Sequence, residues 1–199
     1  GMDIGTAFGG MGSSREMTIA SLAEPAMLMA VFTLAMSAST TNLSDAIDYV
    51  LSNGLVLRPS FLFALAGLLL VAVAECGRIP IDNPATHLEL TMVHEAMILE
   101  YSGRYLALIE WAGQLRLMLY GVLIANMFLP WGIAENFTPM ALAQGAGAIA
   151  AKLMGLGVIL AVAETLVTKM RLFKIQGFLG FAYMLSLLGM LSHIILEVG

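Results

Sequence analysis

Charge is what this 199-residue chain lacks most: Asp, Glu, Lys and Arg make up 12% of it, where soluble domains carry about 25%. So little charge cannot clothe a globular surface, which excludes an ordinary soluble enzyme and a disordered tail. Basic residues are scarcer still, 9 against 14 acids for a net charge of -5, so there is no electrostatic footprint for nucleic acid. The single cysteine, Cys76, excludes a disulfide framework, a zinc knuckle and an iron–sulfur cluster held by this chain alone. There is no Ser-His-Asp arrangement, P-loop or G-x-G-x-x-G motif. His94 and Glu95 are followed by Ala-Met-Ile, so the zinc-protease spacing H-E-x-x-H fails. We find no catalytic constellation, no metal site and no cofactor motif. What remains is apolar, 59% hydrophobic with a mean hydropathy of +0.89, the composition of an integral membrane protein.

A spanning helix needs about 20 mostly apolar residues, because lipid offers the backbone no hydrogen-bond partner. Five stretches qualify: about Met17 to Ala38, interrupted by Glu24-Pro25; Pro59 to Glu75; Leu106 to Ile133; Met140 to Val167; and Ile175 to Leu196. The expected fold is all-α, one polytopic transmembrane bundle of about five helices. Residues 1–16, GMDIGTAFGGMGSSRE, are Gly-rich with little apolar content; they lack the h-region of a signal peptide and read as a loop. Met2 is not a convincing natural start, so the chain reads as beginning inside a longer protein. Arg15, then Arg78 and Arg104, then Lys169, Arg171 and Lys174 place every second connection on the basic side, with Arg58 the one dissenting charge. The positive-inside rule makes the N-terminus, the 75–105 loop and the 168–174 turn cytoplasmic and puts the C-terminus outside, as expected of a multi-pass protein of the inner (plasma) membrane.

Ionisable groups at membrane depth cost on the order of 2.5–3.5 kcal/mol each on insertion scales, and persist where they face a bundle interior. Glu24 lies inside the first stretch and Lys152 midway along the fourth, while Glu110, Arg116 and Glu164 stand nearer helix ends, within reach of snorkelling. Two readings of these groups stand side by side, a path for ions and a structural ion pair. Pro25 removes a backbone donor beside Glu24 and can open the preceding turn. Gly145, Gly147, Gly155 and Gly157 read as sites of close helix packing. His193 reads as a packed or interfacial histidine without a role.

The 74–104 stretch gathers Glu75, Asp82, Glu89, Glu95 and Glu100, five of the fourteen acids. Pro80 and Pro84 stiffen its start and Ser102-Gly103 breaks it before the third helix. If residues 85–100 are helical, Glu89 and Glu100 differ by about 20° around the axis, and His87 and His94 share a second face. Such an array suits a proton relay or the docking of a basic partner; a solvated acidic loop is the plainer reading.

The run Glu75-x-x-Arg78-x-Pro80-x-Asp82-x-Pro84, then Glu89-Leu90, then Glu100-Tyr101-Ser102-Gly103, resembles the E-x-x-R-x-P-F-D-x-P-E-x-E-x-E-L…E-Y-S-G region of subunit 1 of respiratory complex I, the H subunit of bacterial NADH:quinone oxidoreductase. GSSRE at 12–16, Glu24-Pro25 and the THLELTMVHEAMILEYSG run look closer still to formate hydrogenlyase subunit 4 and its relatives in membrane-bound nickel–iron hydrogenases. Where complex I has three glutamates after the second proline, this chain has Ala85, His87 and Glu89, and three extra residues precede the E-Y-S-G motif, which thins the acidic funnel of a quinone chamber. The five helices look like the last five of the family's longer bundle.

The resemblance implies a membrane subunit without a redox centre or cofactor of its own. Its partners would be hydrogenase large and small (iron–sulfur) subunits and antiporter-like membrane subunits in the bilayer. It implies ion translocation or coupling through Glu24, Glu75, Asp82, Glu89, Glu100, Glu110, Lys152 and Glu164, and docking of the peripheral arm on Arg78, Asp82, Glu95 and Tyr101. The alternatives are a quinone-chamber subunit of complex I, a passive anchor, and a stand-alone secondary transporter; the last lacks the internal repeat and midplane site that such folds carry.

Overall fold

A computed structural model describes residues 5–53, 58–77, 97–98, 101–134, 138–166 and 172–196. Among them are six long or medium helices and no strand: α1 (Ala7–Ala38), α2 (Leu43–Asn53), α3 (Pro59–Glu75), α4 (Gly103–Phe128), α5 (Pro139–Leu166) and α6 (Leu172–Leu196). Four of them, α1, α4, α5 and α6, are long and apolar enough to cross a membrane. At 17 residues α3 is the shorter apolar helix, about 26 Å against a hydrocarbon core of about 30 Å. The polytopic all-α fold expected from composition is the fold observed.

Apart from α4, which ends at Phe128 rather than Ile133 because Leu129 precedes Pro130 and is held out of the helical region, two features of α1 differ from the sequence reading. Residues 7–16 are helical rather than a loop, and α1 starts where Thr6 Oγ1 accepts a 3.3 Å hydrogen bond from the Gly9 amide. That cap supplies an acceptor for an otherwise orphaned first-turn donor, which offsets the poor helix propensity of the Gly-rich segment. The helix also runs through Glu24-Pro25 without interruption. Proline is tolerated inside a membrane helix because only the carbonyl four residues back, that of Ser21, loses its donor. A further difference is an addition: α2 occupies the connection after Ser39, a left-handed residue (φ 53°) that ends α1 by donating to Ala35 and Met36. Leu43, Ile47, Val50 and Leu51 recur at helical spacing there, and the Asn42 side chain accepts from the Ser44 amide.

The centre of the bundle is α1, α3 and α6, packed through small residues. Ala23, Ala26 and Ala30 line α1, and Ala64, Gly67, Val71 and Ala74 line α3; Leu179, Ala182 and Ser186 answer them from α6, all buried. Small side chains let the backbones approach, which is how helices gain contact where lipid is as apolar as leucine. A methyl group at Gly67 would collide with Ser186 Oγ and lie 3.1 Å from the Ala182 carbonyl oxygen, and one at Gly189 would lie 3.0 Å from the Ser60 carbonyl oxygen. The C-terminal half of α4 closes a second cluster against α1 and α3 through Ile124, Met127 and Phe128, with the Phe61 and Phe128 rings edge-on at 6.4 Å. Helix α5 packs on α4 and on the turn after it, where Leu153 meets Gly121 and Ala148 meets Gly132. On the opposite end of α1, Ser37 Oγ and His193 Nδ1 are 3.2 Å apart in a buried contact, so His193 is a packed histidine.

Candidate functional site

Three helices bring ionisable groups to one seam. Glu75 is the last residue of α3, where the final carbonyls lack intrahelical donors. Arg116, on α4, donates a 3.2 Å hydrogen bond to the Glu75 backbone carbonyl and thereby caps that helix end, where a cation also complements the dipole. The same Nη1 atom lies 3.6 Å from Glu75 Oε2 and 3.6 Å from Oε1 of Glu16 on α1. One guanidinium therefore joins α1, α3 and α4. The Glu75 side chain is 14% exposed and that of Glu16 32%, so neither carboxylate is fully hydrated by its surroundings.

Glu24 stands two turns further along α1, and its charge acts on Glu75. Tyr120, one turn after Arg116 on α4, feels Glu75, Cys76, Arg116 and Glu24 together, and its hydroxyl meets Met27 Sδ at 3.5 Å. The seam thus holds three carboxylates, one guanidinium and one phenol. Of these, Glu24 and Glu75 were expected from sequence. From sequence Arg116 reads only as a charge near its helix end, and Glu16 as part of a loop. Glu16 could have been found from Glu24: on a continuous helix eight residues separate them by about 80°, so both can face one neighbour.

The other expected residues are not gathered there. Arg78, Asp82, Glu89, Glu95 and Glu100 lie outside the described residues. Tyr101 is half-buried ahead of α4, its amide donating to the Ile98 carbonyl at 3.0 Å. Glu110 stands exposed on α4, and Lys152 and Glu164 are partly buried on α5, which packs on α4 rather than against the α1–α3 seam. Among the described residues no group of three or more His, Cys, Asp or Glu is placed to hold a metal ion.

Comparison with known proteins agrees with this arrangement of a membrane bundle. The chain is 30% identical over 184 residues to hydrogenase-4 component C of Escherichia coli K12, covering 92% of this chain and 57% of that protein. It is also 30% identical over 138 residues to formate hydrogenlyase subunit 4 of the same organism, covering 69% of this chain and 44% of that protein. The chain therefore spans about half the length of the curated relatives it matches. A model of the NADH dehydrogenase family matches residues 1–195, nearly the whole sequence, and the chain belongs to that family, the complex I subunit 1 type.

Proposed function

We infer that this chain is a membrane subunit of a hydrogenase- or formate hydrogenlyase-type complex, anchoring the peripheral redox arm and coupling its electron transfer to H⁺ or Na⁺ movement in the inner membrane. The observation that carries the coupling role is the Glu16–Arg116–Glu75 contact with Glu24 and Tyr120 beside it. Two carboxylates sharing one cation, with Glu24 near, take up or release a proton or a small cation when that cation shifts. Arg116 is the group through which a movement of α4 reaches α1 and α3 at once. The relatives' names, hydrogenase-4 component C and formate hydrogenlyase subunit 4, support the choice of complex. Hydrogenase large and small subunits and antiporter-like membrane subunits are the partners this reading assigns. Asp82, Glu89 and Glu100 would feed the seam from the loop that follows Glu75, with Glu110, Lys152 and Glu164 further along the route.

Glu24→Gln tests the coupling because it keeps the shape and removes the charge. The complex carrying it is expected to assemble and evolve hydrogen while ion uptake into vesicles falls to background. Uptake at the parental rate would leave Glu24 as a structural charge and the subunit as a passive anchor. Quinone-dependent, inhibitor-sensitive turnover would instead favour the quinone-chamber reading.

The docking role has its own test. Alanine at Arg78 and Asp82 together is expected to release the soluble subunits from washed membranes, read as loss of their co-purification with this chain. Unchanged co-purification would remove the 75–105 loop, with Glu95 and Tyr101, from the docking surface.

A further inference from the structure

Helix α5 carries a cation that no described residue satisfies. Lys152 sits at the centre of this 28-residue helix, and its Nζ has no hydrogen-bond partner among the described residues. A lysine stem reaches about 6 Å, whereas half of the hydrocarbon core is about 15 Å, so snorkelling cannot carry the ammonium from mid-helix to a headgroup. The helix bearing it is also uncovered. In the most apolar eighteen residues of Pro139–Thr165 none is buried, against 28% of the equivalent stretches in α1 and α6.

The uncovered side is shaped for another helix. Gly147 and Gly155 have nothing within 4 Å of where a side chain would begin, and Ala151 lies between them at the same four-residue spacing. This small-xxx-small ridge admits a neighbouring backbone at close range. Gly155 is one turn beyond Lys152 and about 60° round the axis, so a helix seated on the ridge passes alongside the lysine stem. The Nζ is covered by its own chain, and rotation about the torsions of its flexible stem is what would bring it to that flank.

We propose that α5 docks a membrane-spanning helix of another subunit that presents an Asp or Glu carboxylate to Lys152 near mid-membrane. A charged pair formed inside the bilayer specifies both register and partner, because any other register leaves both charges bare.

The test uses the full chain in its native membrane. A benzophenone amino acid is placed at Ile159, which is 67% exposed on the Lys152 side of α5, and the cross-linked peptide is identified by mass spectrometry. The expected product is a membrane-spanning peptide of another subunit with an acidic residue within a turn of the attachment point. Lys152→Met and Lys152→Glu should lower the yield by roughly threefold to thirtyfold, the range set by a polar contact between membrane helices. Exchanging the partner's acid for lysine should restore the yield to Lys152→Glu. Gly155→Leu meets open space in this chain, so it should lower the yield without lowering the chain's abundance. Cross-links to lipid alone, to a second copy, to another part of the same polypeptide or to a helix without an acid would overturn the proposal, as would an undiminished yield from Lys152→Glu. The unsubstituted lysine chain gives the primary readout, so poor accumulation of a variant does not decide the outcome. Because the readout is a cross-link and not ion uptake, it stands or falls apart from the coupling role of the α1–α3–α4 seam.

Discussion

Arg116→Ala is expected to abolish coupled ion movement and to loosen the join between α4 and the central helices. The wild-type guanidinium meets Glu16, Glu75 and the last carbonyl of α3 from one nitrogen. Alanine leaves two carboxylates facing each other with Glu24 near, and leaves the α3 carbonyl without its donor. Losing one member of an ion pair costs from ~1 kcal/mol when exposed to about 3–5 kcal/mol when buried. With Arg116 half exposed and Glu75 mostly covered, the lower part of that range applies to stability. The functional effect is larger, since Arg116 is the cation that Glu16 and Glu75 share. Vesicle ion uptake at constant hydrogen output is the measurement, and wild-type uptake from Arg116→Ala would refute the role. Arg116→Lys should recover part of both stability and coupling, because the three contacts come from one nitrogen and the shorter lysine stem limits how well its ammonium reaches the same point. The double variant Glu75→Gln/Arg116→Gln separates the roles further. It removes the charges together, so assembly should return towards normal while ion movement stays lost.

Gly67→Leu is the second large effect, and it is structural. The α3–α6 approach at this position leaves no room for even one methyl group, because Ser186 Oγ occupies it and two backbone atoms, Ala182 O and Ser186 N, stand within 3.2 Å. Overpacking of a tight contact costs about 1–3 kcal/mol where side chains can yield, and backbone atoms yield least. Thermal dispersion in mild detergent should show a clear drop in melting temperature, or the chain should fail to accumulate. Gly67→Ala is informative because its main obstacle is a side chain. Ser186 Oγ is buried without a hydrogen-bond partner among the described residues, so Ser186→Ala removes an unsatisfied polar atom and is expected to be neutral or slightly stabilising. Combined with Gly67→Ala it should recover most of that variant's loss, a coupling that a double-mutant cycle measures directly. Strict additivity would mean that Ser186 is not the obstacle.

Much of this architecture was legible in the sequence because the bilayer demands long apolar helices. Pro59–Glu75 was placed to the residue, Met140–Val167 to within one, and the last span to within three at its start. What failed to show were features decided by contacts between distant segments or by weak local preference. The Gly-rich start of α1 has poor propensity and no apolar run, and it is helical because it continues a helix stabilised further on. The α2 helix did carry an amphipathic period, but between long hydrophobic runs its 11 residues read as a connection. The meeting of Glu16 with Arg116 joins positions a hundred residues apart, and nothing local to either one announces the other. The glycines of α5 were expected to pack; Gly145 does so against Ala134, whereas Gly147, Gly155 and Gly157 face open space.

The uninterrupted passage of α1 through Pro25 has a mechanical consequence. Its 32 residues make a rod about 48 Å long, and even at the usual tilt of about 20° it exceeds the hydrocarbon thickness by about 15 Å. An unbroken rod transmits displacement along its axis with little loss. A push of an ångström on the protruding turns, where Arg15 and Glu16 sit, arrives at Glu24 as nearly the same displacement. Helical continuity through the preceding turns makes α1 a pushrod between the membrane surface and Glu24, which stands exposed on the helix.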